Sequence, residues 1–430
     1  MKILVINIRY GYVGGPERYL FNLKYLLESN NHQIIPFSIK YPLNEKTEYE
    51  KYFASPLSED HSVYFKKQKW TLGGLFKTLE RNFYSNEVER NLKRLIEDTK
   101  PDFAIVLLYL RKLSPAVLVA LNESKIPFLV RLSDYGMICP SHNLFKGNSI
   151  CELCLDGNIS NSVKYKCVHN SYGASIVNYF ATKYHQSKNY FNLINHFVSP
   201  SKFLIKKMVD SGWPAEKFSH LPTFAFIPEN KYKEKITNQI LYSGRLEYIK
   251  GVHHLLEAVK ILSENHKLKV NLKLAGNGDD HYIYELKQFA IKNNLSEIEF
   301  LGDLKKDMLT KYYQESAISV IPSLCYDNMP NSALESLACG TPLIVPNHGC
   351  FPEIIATRET GLLFEPANSI DLAEKIKMLL ENSESRNQMS SKSISQIKEN
   401  FSAENHYAKL MRIINKVKSE ETSGLLSETK

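Results

Sequence analysis

The chain has 430 residues, of which 43% are hydrophobic and 23% are charged, a composition typical of soluble globular proteins that favours two or more domains. No apolar run is long enough to cross a bilayer. The opening MKILVINI predicts a strand rather than a signal peptide, because a polar glycine loop follows it directly. The expected location is cytoplasmic.

The net charge of +8 is unevenly distributed along the chain: residues 1–220 carry +10 and the remainder carries −2. This asymmetry favours a domain boundary near residue 220 and a basic surface on the N-terminal half. Such a surface suits an anionic partner such as a membrane face or a lipid-linked phosphate, and plain solubility is the alternative. Nucleic acid is disfavoured as a partner because no recognition motif accompanies the basic residues.

A glycine loop follows the first strand and leads into an amphipathic helix. It contains Gly11, Gly14 and Gly15. A strand, a glycine loop and a helix together form a phosphate-binding unit, although a glycine turn without function is the alternative. The spacing is not that of G-x-G-x-x-G, and no acid that could bind a ribose ends a convincing second strand. Both observations argue against a dinucleotide-dependent dehydrogenase.

Residues 66–83 combine basic and apolar residues at helical spacing. Basic side chains and an interfacial Trp70 flank an apolar stripe, which predicts a peripheral membrane segment. A helix packed on the domain is the alternative, and Gly73 with Gly74 weakens the helix. The stripe is Leu72, Leu75, Phe76, Leu79 and Phe83; the basic residues are Lys66, Lys67, Lys69, Lys77 and Arg81.

Four of the seven cysteines fall within thirty residues, namely Cys139, Cys151, Cys154 and Cys167. In a reducing compartment such clustering favours a metal over disulfides, and four thiolates would form a closed structural zinc site. Free or redox-active thiols and disulfides remain alternatives. His142 and His169 are spare ligand candidates.

Two segments of the C-terminal half carry groups suited to a nucleotide. The loop from Gly244 to Gly251 places Arg245 and Lys250 before a helix, a pair suited to a diphosphate. Solvated surface charge is the alternative.

The second segment runs from Ser323 to Pro346 and contains a short helix. Asp327 lies in the loop and Glu335 on the helix, where it can accept hydrogen bonds from a ribose diol, while Asp327 can do so from a second sugar ring. Free backbone N–H groups near Asn331 and Ser332 attract phosphate. Solvated acids on a core helix are the alternative.

Residues 323–346 closely resemble the donor-binding motif of retaining GT-B-fold nucleotide-sugar glycosyltransferases (glycosyl transferases group 1, glycosyltransferase family four). That motif has two glutamates separated by seven residues, before a helix ending Ala-Cys-Gly-Thr-Pro. Here Asp327 replaces the first glutamate. Residues 244–251 resemble the family's Gly-Arg-Leu-x-x-x-Lys-Gly segment, and Gly14 to Glu17 resembles its first loop.

The resemblance implies donor and sugar contacts at several positions. Gly14 and Gly15 are expected near the donor phosphates, and Gly244, Gly276 and Gly302 near the nucleotide. Ser133 stands where the family often has a histidine that faces the donor sugar, and is followed by Asp134. With Glu17, these two are expected as weak sugar or acceptor contacts. A similar cysteine-bearing insertion occurs in some members.

Strands and helices alternate through both halves, which predicts an α/β protein of two doubly wound Rossmann-like domains facing a cleft, as in GT-B. The predicted domains are 1–220, with the cysteine insertion near 139–167, and 221–400. A helix at 401–418 should pack back on the N-terminal domain, before a polar, disordered tail at 419–430.

The activity implied by the resemblance is retaining transfer of a hexose-type sugar from a nucleotide-diphosphate donor, with no cofactor required for catalysis. The implied acceptor is a glycan, lipid-linked at the inner membrane face, as in bacterial surface polysaccharide assembly. A nucleotide-sugar epimerase and a catalytically silent binding subunit are the alternatives.

Overall fold

The computed structural model describes residues 1–12, 14–57, 72–229, 235–356 and 358–428, with the side chains of Leu72 and of residues 421–428 excepted. Two six-stranded, fully parallel sheets dominate this part of the chain. Helices connect successive strands in both sheets, as parallel pairing requires. Of the predicted amphipathic segment, residues 66–71 lie outside the described residues.

The N-terminal domain has strand order β2-β1-β3-β4-β7-β8. The direction in which the strand order runs changes between β1 and β3, so the switch point of this domain lies between these two strands. The strands are β1 (Lys2–Ile6), β2 (Gln33–Phe37), β3 (Phe103–Val106), β4 (Phe128–Arg131), the hairpin β5 (Phe145–Lys146) and β6 (Ser149–Ile150), β7 (Phe197–Ser199) and β8 (Phe218–His220). The helices are α1 (Gly15–Ser29), α2 (Leu72–Phe83), α3 (Asn86–Thr99), α4 (Ala116–Glu123), α5 (Asn161–Lys164), α6 (Tyr172–Ser187) and α7 (Lys202–Asp210).

The C-terminal domain has strand order β11-β10-β9-β12-β13-β14, with its switch point between β9 and β12. The strands are β9 (Ile236–Ser243), β10 (Asn271–Ala275), β11 (Ile298–Gly302), β12 (Ser316–Val320), β13 (Leu343–Pro346) and β14 (Gly361–Phe364). The helices are α8 (Val252–His266), α9 (Asp280–Lys292), α10 (Lys306–Glu315), α11 (Asn331–Ala338), α12 (Phe351–Ile354), α13 (Ser369–Glu381), α14 (Ser383–Asn400) and α15 (Ala403–Glu428).

The linker and the last helix join the two domains. Phe224 of the linker is buried in the same cluster as Leu410, Ile414 and Val417 of α15, on the face of the N-terminal sheet that α1 covers. Helix α15 therefore packs back on the first domain. The helix continues to Glu428, so residues 419–428, which were predicted to be disordered, are helical.

Two features of these elements were not predicted from the sequence. Strand β2 contains Pro36, which a sheet tolerates here because β2 lies at the edge and, among the described residues, pairs with β1 alone. Helix α6 runs unbroken for 16 residues and is followed by a 3₁₀ turn at Tyr190–Leu193. None of the helices in the described part of the chain combines the length and apolar character that a bilayer span requires.

Candidate active site

The C-terminal switch point brings together the loops that carry the predicted donor-binding residues. The loop after β9 bears Arg245 and Lys250, and the loop after β12 bears Asp327. A backbone hydrogen bond of 2.9 Å from the Leu324 N–H to the Ile249 carbonyl ties the two loops together. Ligands of open α/β sheets bind at such strand ends.

Lys250 and Asp327 form an ion pair at the base of these loops. The Lys250 ammonium contacts Asp327 Oδ1, and the two side chains are only 17% and 11% exposed. Burial acts to lower the pKa of Lys250, but the charges of Asp327 and Cys325 and the hydrogen bond to Asp327 together outweigh it, so the pKa is raised. The second oxygen, Asp327 Oδ2, is buried and has no hydrogen-bond partner among the described residues, which leaves it free to accept a further hydrogen bond.

Glu335 on α11 is held from across the cleft. Arg18 on the first turn of α1 donates from Nη1 to both carboxylate oxygens of Glu335 at 2.8 Å. The Glu335 charge raises the pKa of Arg18 despite its burial. The neighbouring Glu17 was predicted from the sequence as a contact, whereas Arg18 was not. The feature of the sequence that could have indicated Arg18 is its position as a cation on the helix turn that follows the glycine loop.

Two helix N-termini converge on the same space. Gly14 precedes α1 and Pro330 precedes α11. Neither residue has a side chain that can accept a hydrogen bond from the first N–H groups of its helix. Asn331 Nδ2 donates to the Gly15 carbonyl at 2.9 Å, which brings the two ends together. Uncapped helix N-termini attract anions through free N–H groups and the helix dipole. Ser332, the next residue of α11, is half-buried.

Arg245 is not confined like Lys250. Its side chain is 59% exposed and pairs with Glu247 at 2.9 Å, two residues along the same loop. The guanidinium can therefore turn toward a ligand at little cost, since exposed ion pairs contribute little to stability.

Three of the predicted glycines, Gly244, Gly276 and Gly302, pack closely at the strand ends of the C-terminal domain. Gly276 has φ +133°, and a Cβ there would collide with the Gly244 carbonyl oxygen. The Gly276 N–H donates to the Gly302 carbonyl at 2.7 Å. The turns after β9, β10 and β11 therefore stack backbone against backbone, which explains glycine at position 276 by packing.

A separate cavity of about 340 Å³ lies at the strand ends of the N-terminal domain. Ser133 and Asp134 line it, as do Arg111 and Lys112. Burial lowers the pKa of Arg111 to about 10 and that of Lys112 to about 8. With Arg131, three basic residues and one acid, Asp134, line the cavity. Glu17, predicted as a further contact, is buried on α1 and is not among the residues that line this cavity.

Asp134 and Ser133 are already engaged with their surroundings. Asp134 accepts from the Gly136 N–H at 2.7 Å and pairs with His142 Nδ1 at 3.1 Å. Burial would raise the pKa of Asp134, but His142, the Gly136 N–H and Arg111 together hold it below its usual value. The Ser133 hydroxyl donates to the Leu107 carbonyl at 3.4 Å.

The cysteine insertion reaches across the cleft. Its hairpin residues Phe145 and Ile150 pack on Leu324 and Cys325, beside the Lys250–Asp327 pair. All seven cysteines are free thiols. Burial and the neighbouring thiols of Cys139, Cys167 and Cys151 raise the pKa of Cys154 to about 12. Within the described ranges no three His, Cys, Asp or Glu side chains are arranged to hold a metal ion, so structural zinc stays a prediction.

The two facing Rossmann-like domains define the fold as GT-B. Residues 224–396 match the family described as Glycosyl transferases group 1.

Similarity to curated proteins is confined to part of their length. An uncharacterized glycosyltransferase of Methanocaldococcus jannaschii is 34% identical over 155 residues, which are 36% of this chain and 42% of that protein. The O-antigen chain mannosyltransferase B of Escherichia coli is 25% identical over 177 residues, 41% of this chain and 45% of the other. The chain thus matches less than half the length of either relative.

Solved structures match nearly the whole chain at low identity. Sucrose-phosphate synthase from Thermosynechococcus elongatus superimposes with a TM-score of 0.70 at 16% identity, covering 98% of this chain and 100% of that one. Anabaena Alr3699/HepE in complex with UDP-glucose gives 0.65 at 16% identity, covering 97% and 100%. At such identities the likeness establishes the fold alone.

Proposed function

We propose that this chain is a retaining glycosyltransferase that moves a hexose-type sugar from a nucleotide-diphosphate donor to a glycan acceptor. The observation that carries the proposal is the buried Lys250–Asp327 pair with its unpartnered Asp327 Oδ2, placed at the switch point of a glycosyl transferases group 1 domain.

The donor's diphosphate would lie between Lys250, Arg245 and the two uncapped helix ends. These groups together supply two cations and several free N–H donors, which stabilise the charge that develops on the leaving diphosphate. We expect them to do the work that a divalent metal does elsewhere. The stacked turns at Gly244, Gly276 and Gly302 would face the nucleotide, and Gly14 and Gly15 the phosphates.

The two acids would bind the sugar rings. Asp327 Oδ2 would accept a hydrogen bond from a donor-sugar hydroxyl, because a buried carboxylate oxygen without a partner is costly until a donor reaches it. Glu335 would accept from the ribose hydroxyls. To do so it must share its carboxylate with Arg18 or release it.

In the reaction the bond between the anomeric carbon and the diphosphate oxygen breaks, and a bond to an acceptor hydroxyl oxygen forms on the same face. The hydroxyl proton passes to an oxygen of the leaving diphosphate. This front-face path needs no protein base, which suits a chain with Ser133 where a histidine would face the sugar.

The acceptor would enter the N-terminal cavity. Its basic wall at Arg111 and Lys112 favours an acceptor with a phosphate or carboxylate, such as a lipid-linked glycan. The similarity to an O-antigen mannosyltransferase supports a role in surface polysaccharide assembly. The protein would then act in the cytoplasm, in peripheral contact with the inner membrane face.

The experiment that tests the donor site is a thermal-shift series with UDP, GDP, ADP and their sugar conjugates. Ligand at about a hundred times its dissociation constant stabilises a protein by about 2.7 kcal/mol. We expect one nucleotide to raise the melting temperature of the wild type but not of Lys250→Ala, each measured against its own unliganded protein. Lys292→Ala, at the exposed end of α9, is the matched control.

Two alternatives give different outcomes. An epimerase would convert the donor sugar without an acceptor, which nuclear magnetic resonance of the donor alone detects. A silent binding subunit would shift with nucleotide and turn nothing over. The N-terminal cavity favours the transferase, because an epimerase needs no second substrate site. No shift with any nucleotide would reject the donor site itself.

A further inference from the structure

Helix α6 buries polar residues and exposes apolar ones, the reverse of what a helix packed on a core normally does. Its buried positions include Ser175, Asn178 and His185, whereas Ile176 and Phe180 are exposed, Phe180 at 58%. Surface helices of globular domains normally bury their apolar stripe. An exposed stripe of this kind therefore indicates an occupant outside the domain.

Helix α2 packs beside α6 and shows the same inversion. It buries Thr78, Arg81 and Asn82 while Phe76 is 75% exposed, next to the exposed Leu75. The inward face is fixed by its polar bonds. Arg81 donates to the Lys112 carbonyl at 2.8 Å, to the Ser55 carbonyl at 3.1 Å and to Glu87 at 2.9 Å. The helix cannot roll its apolar side inward without breaking these bonds.

The charge around the two helices is positive. Helix α6 contains no acidic residue and α2 contains one, Glu80, which accepts from the Ser85 hydroxyl at 3.0 Å. Lys77, Lys183 and Lys188 lie on or directly after these helices, and the last two are exposed. Apolar side chains with basic neighbours match an anionic lipid surface better than a neutral protein partner.

This surface also adjoins the N-terminal cavity. Val168 and His169, just before α6, line the cavity. Asn178 on the buried face of α6 accepts from Arg111 of the cavity wall at 3.3 Å. A lipid carrier held at the outer face of α6 would thus present its headgroup beside the cavity mouth.

We propose that α2 and α6 form a docking surface for an anionic bilayer, with Leu75, Phe76, Ile176 and Phe180 entering the headgroup boundary and Lys77 and Lys183 contacting lipid phosphates. This inference deepens the acceptor part of the proposed function. Its test uses no turnover, so the two can fail separately.

The test is co-sedimentation of the full chain with vesicles of phosphatidylcholine alone and of equimolar phosphatidylcholine and phosphatidylglycerol. We expect pelleting with the anionic vesicles that weakens as salt rises. Replacing both Phe76 and Phe180 by Gln should lower binding at least about tenfold, because each removes a side chain that the bilayer would bury.

The matched control is Tyr284→Gln with Ile291→Gln, two exposed apolar side chains of α9 in the other domain, which should pellet like the wild type. All variants should keep their melting temperature and nucleotide response, since the replaced side chains are exposed. No pelleting of the wild type, or equal loss in both double variants, would overturn the proposal. The proposal would also fail if light scattering showed the wild type to be a dimer and only the Phe76/Phe180 variant to be a monomer, because a second copy would then cover the surface.

Discussion

Arg18 and Glu335 form a two-pronged ion pair that bridges the domains, with both N–O distances at 2.8 Å. The carboxylate that we propose to bind a ribose is therefore engaged by Arg18. A ribose that binds there must share Glu335 with Arg18 or displace the guanidinium.

Arg18→Ala should tighten nucleotide binding by up to about fivefold, because half-exposed ion pairs are worth about 0.2–1 kcal/mol and the ligand no longer has to displace one. Isothermal titration of the nucleotide measures the change. Lys24→Ala, which breaks a pair with Glu28 on the same helix, should leave affinity unaltered. Weaker binding by Arg18→Ala would mean instead that Arg18 contacts the donor.

Lys250→Ala should destabilise the fold by about 3 kcal/mol, because it leaves the Asp327 carboxylate buried without its partner. Removing both groups in Lys250→Met with Asp327→Leu should recover most of that loss. Denaturant unfolding of the single and double variants gives the comparison. The exposed pair of Lys206 with Asp210 is the control, and its loss should cost less than about 1 kcal/mol. A cost as small for Lys250→Ala would show that the pair is already hydrated.

His406 makes the packing of α15 sensitive to acid. Its Nδ1 donates to the Pro222 carbonyl at 2.7 Å, so its Nε2 accepts from the Tyr19 hydroxyl at 3.1 Å. Burial lowers the pKa of His406 from 6.5 to about 3. Between pH 6.5 and pH 3, His406 is protonated in the unfolded chain but neutral in the folded chain. The free energy of unfolding therefore falls as the pH drops toward 3.

The loss from His406 between pH 6.5 and pH 4 should be roughly 3 kcal/mol, at about 1.4 kcal/mol per pH unit. Unfolding measured across this range should be flatter for His406→Gln than for the wild type. His281, which is 82% exposed, offers a neutral control as His281→Gln. Parallel curves for wild type and His406→Gln would contradict the assignment.

The four clustered cysteines are predicted to hold zinc. We therefore expect protein purified from zinc-replete cells to contain about one zinc ion per chain. Elemental analysis measures the content, and Cys154→Ser should abolish it. Cys325→Ser, outside the cluster, should retain it. Metal-free protein with all seven thiols titrating under denaturant would favour free thiols, and fewer than seven would favour disulfides.

How far the sequence predicts this molecule depends on the range of the interactions involved. Loops such as Gly244–Gly251 and the helix from Asn331 are encoded locally by glycine, proline and charge spacing, so these elements and the alternation of strands and helices followed from pattern. The role of Arg18 did not, because its partner lies 317 residues away and depends on how the domains face each other. Phe76 belongs to the stripe that the sequence predicted to face a membrane, whereas the outward turn of Phe180 was hidden, since periodicity identifies an apolar stripe but not the side it faces.

Glu353 of the C-terminal domain holds the N-terminal domain through two hydrogen bonds. Its two carboxylate oxygens accept from the Lys202 and Phe203 N–H groups at 2.8 and 2.6 Å, at the N-terminus of α7. Glu353→Ala should lower stability by about 1–2 kcal/mol, as loss of a helix cap does, and should widen the cleft. Glu353→Gln keeps one acceptor and should lose about half as much. Small-angle scattering should report a larger radius of gyration for the alanine variant, while Glu359→Ala, whose partner Lys392 lies in the same domain, should match the wild type. An unchanged radius with unchanged stability would show that the contacts near Arg18 hold the domains together without these two hydrogen bonds.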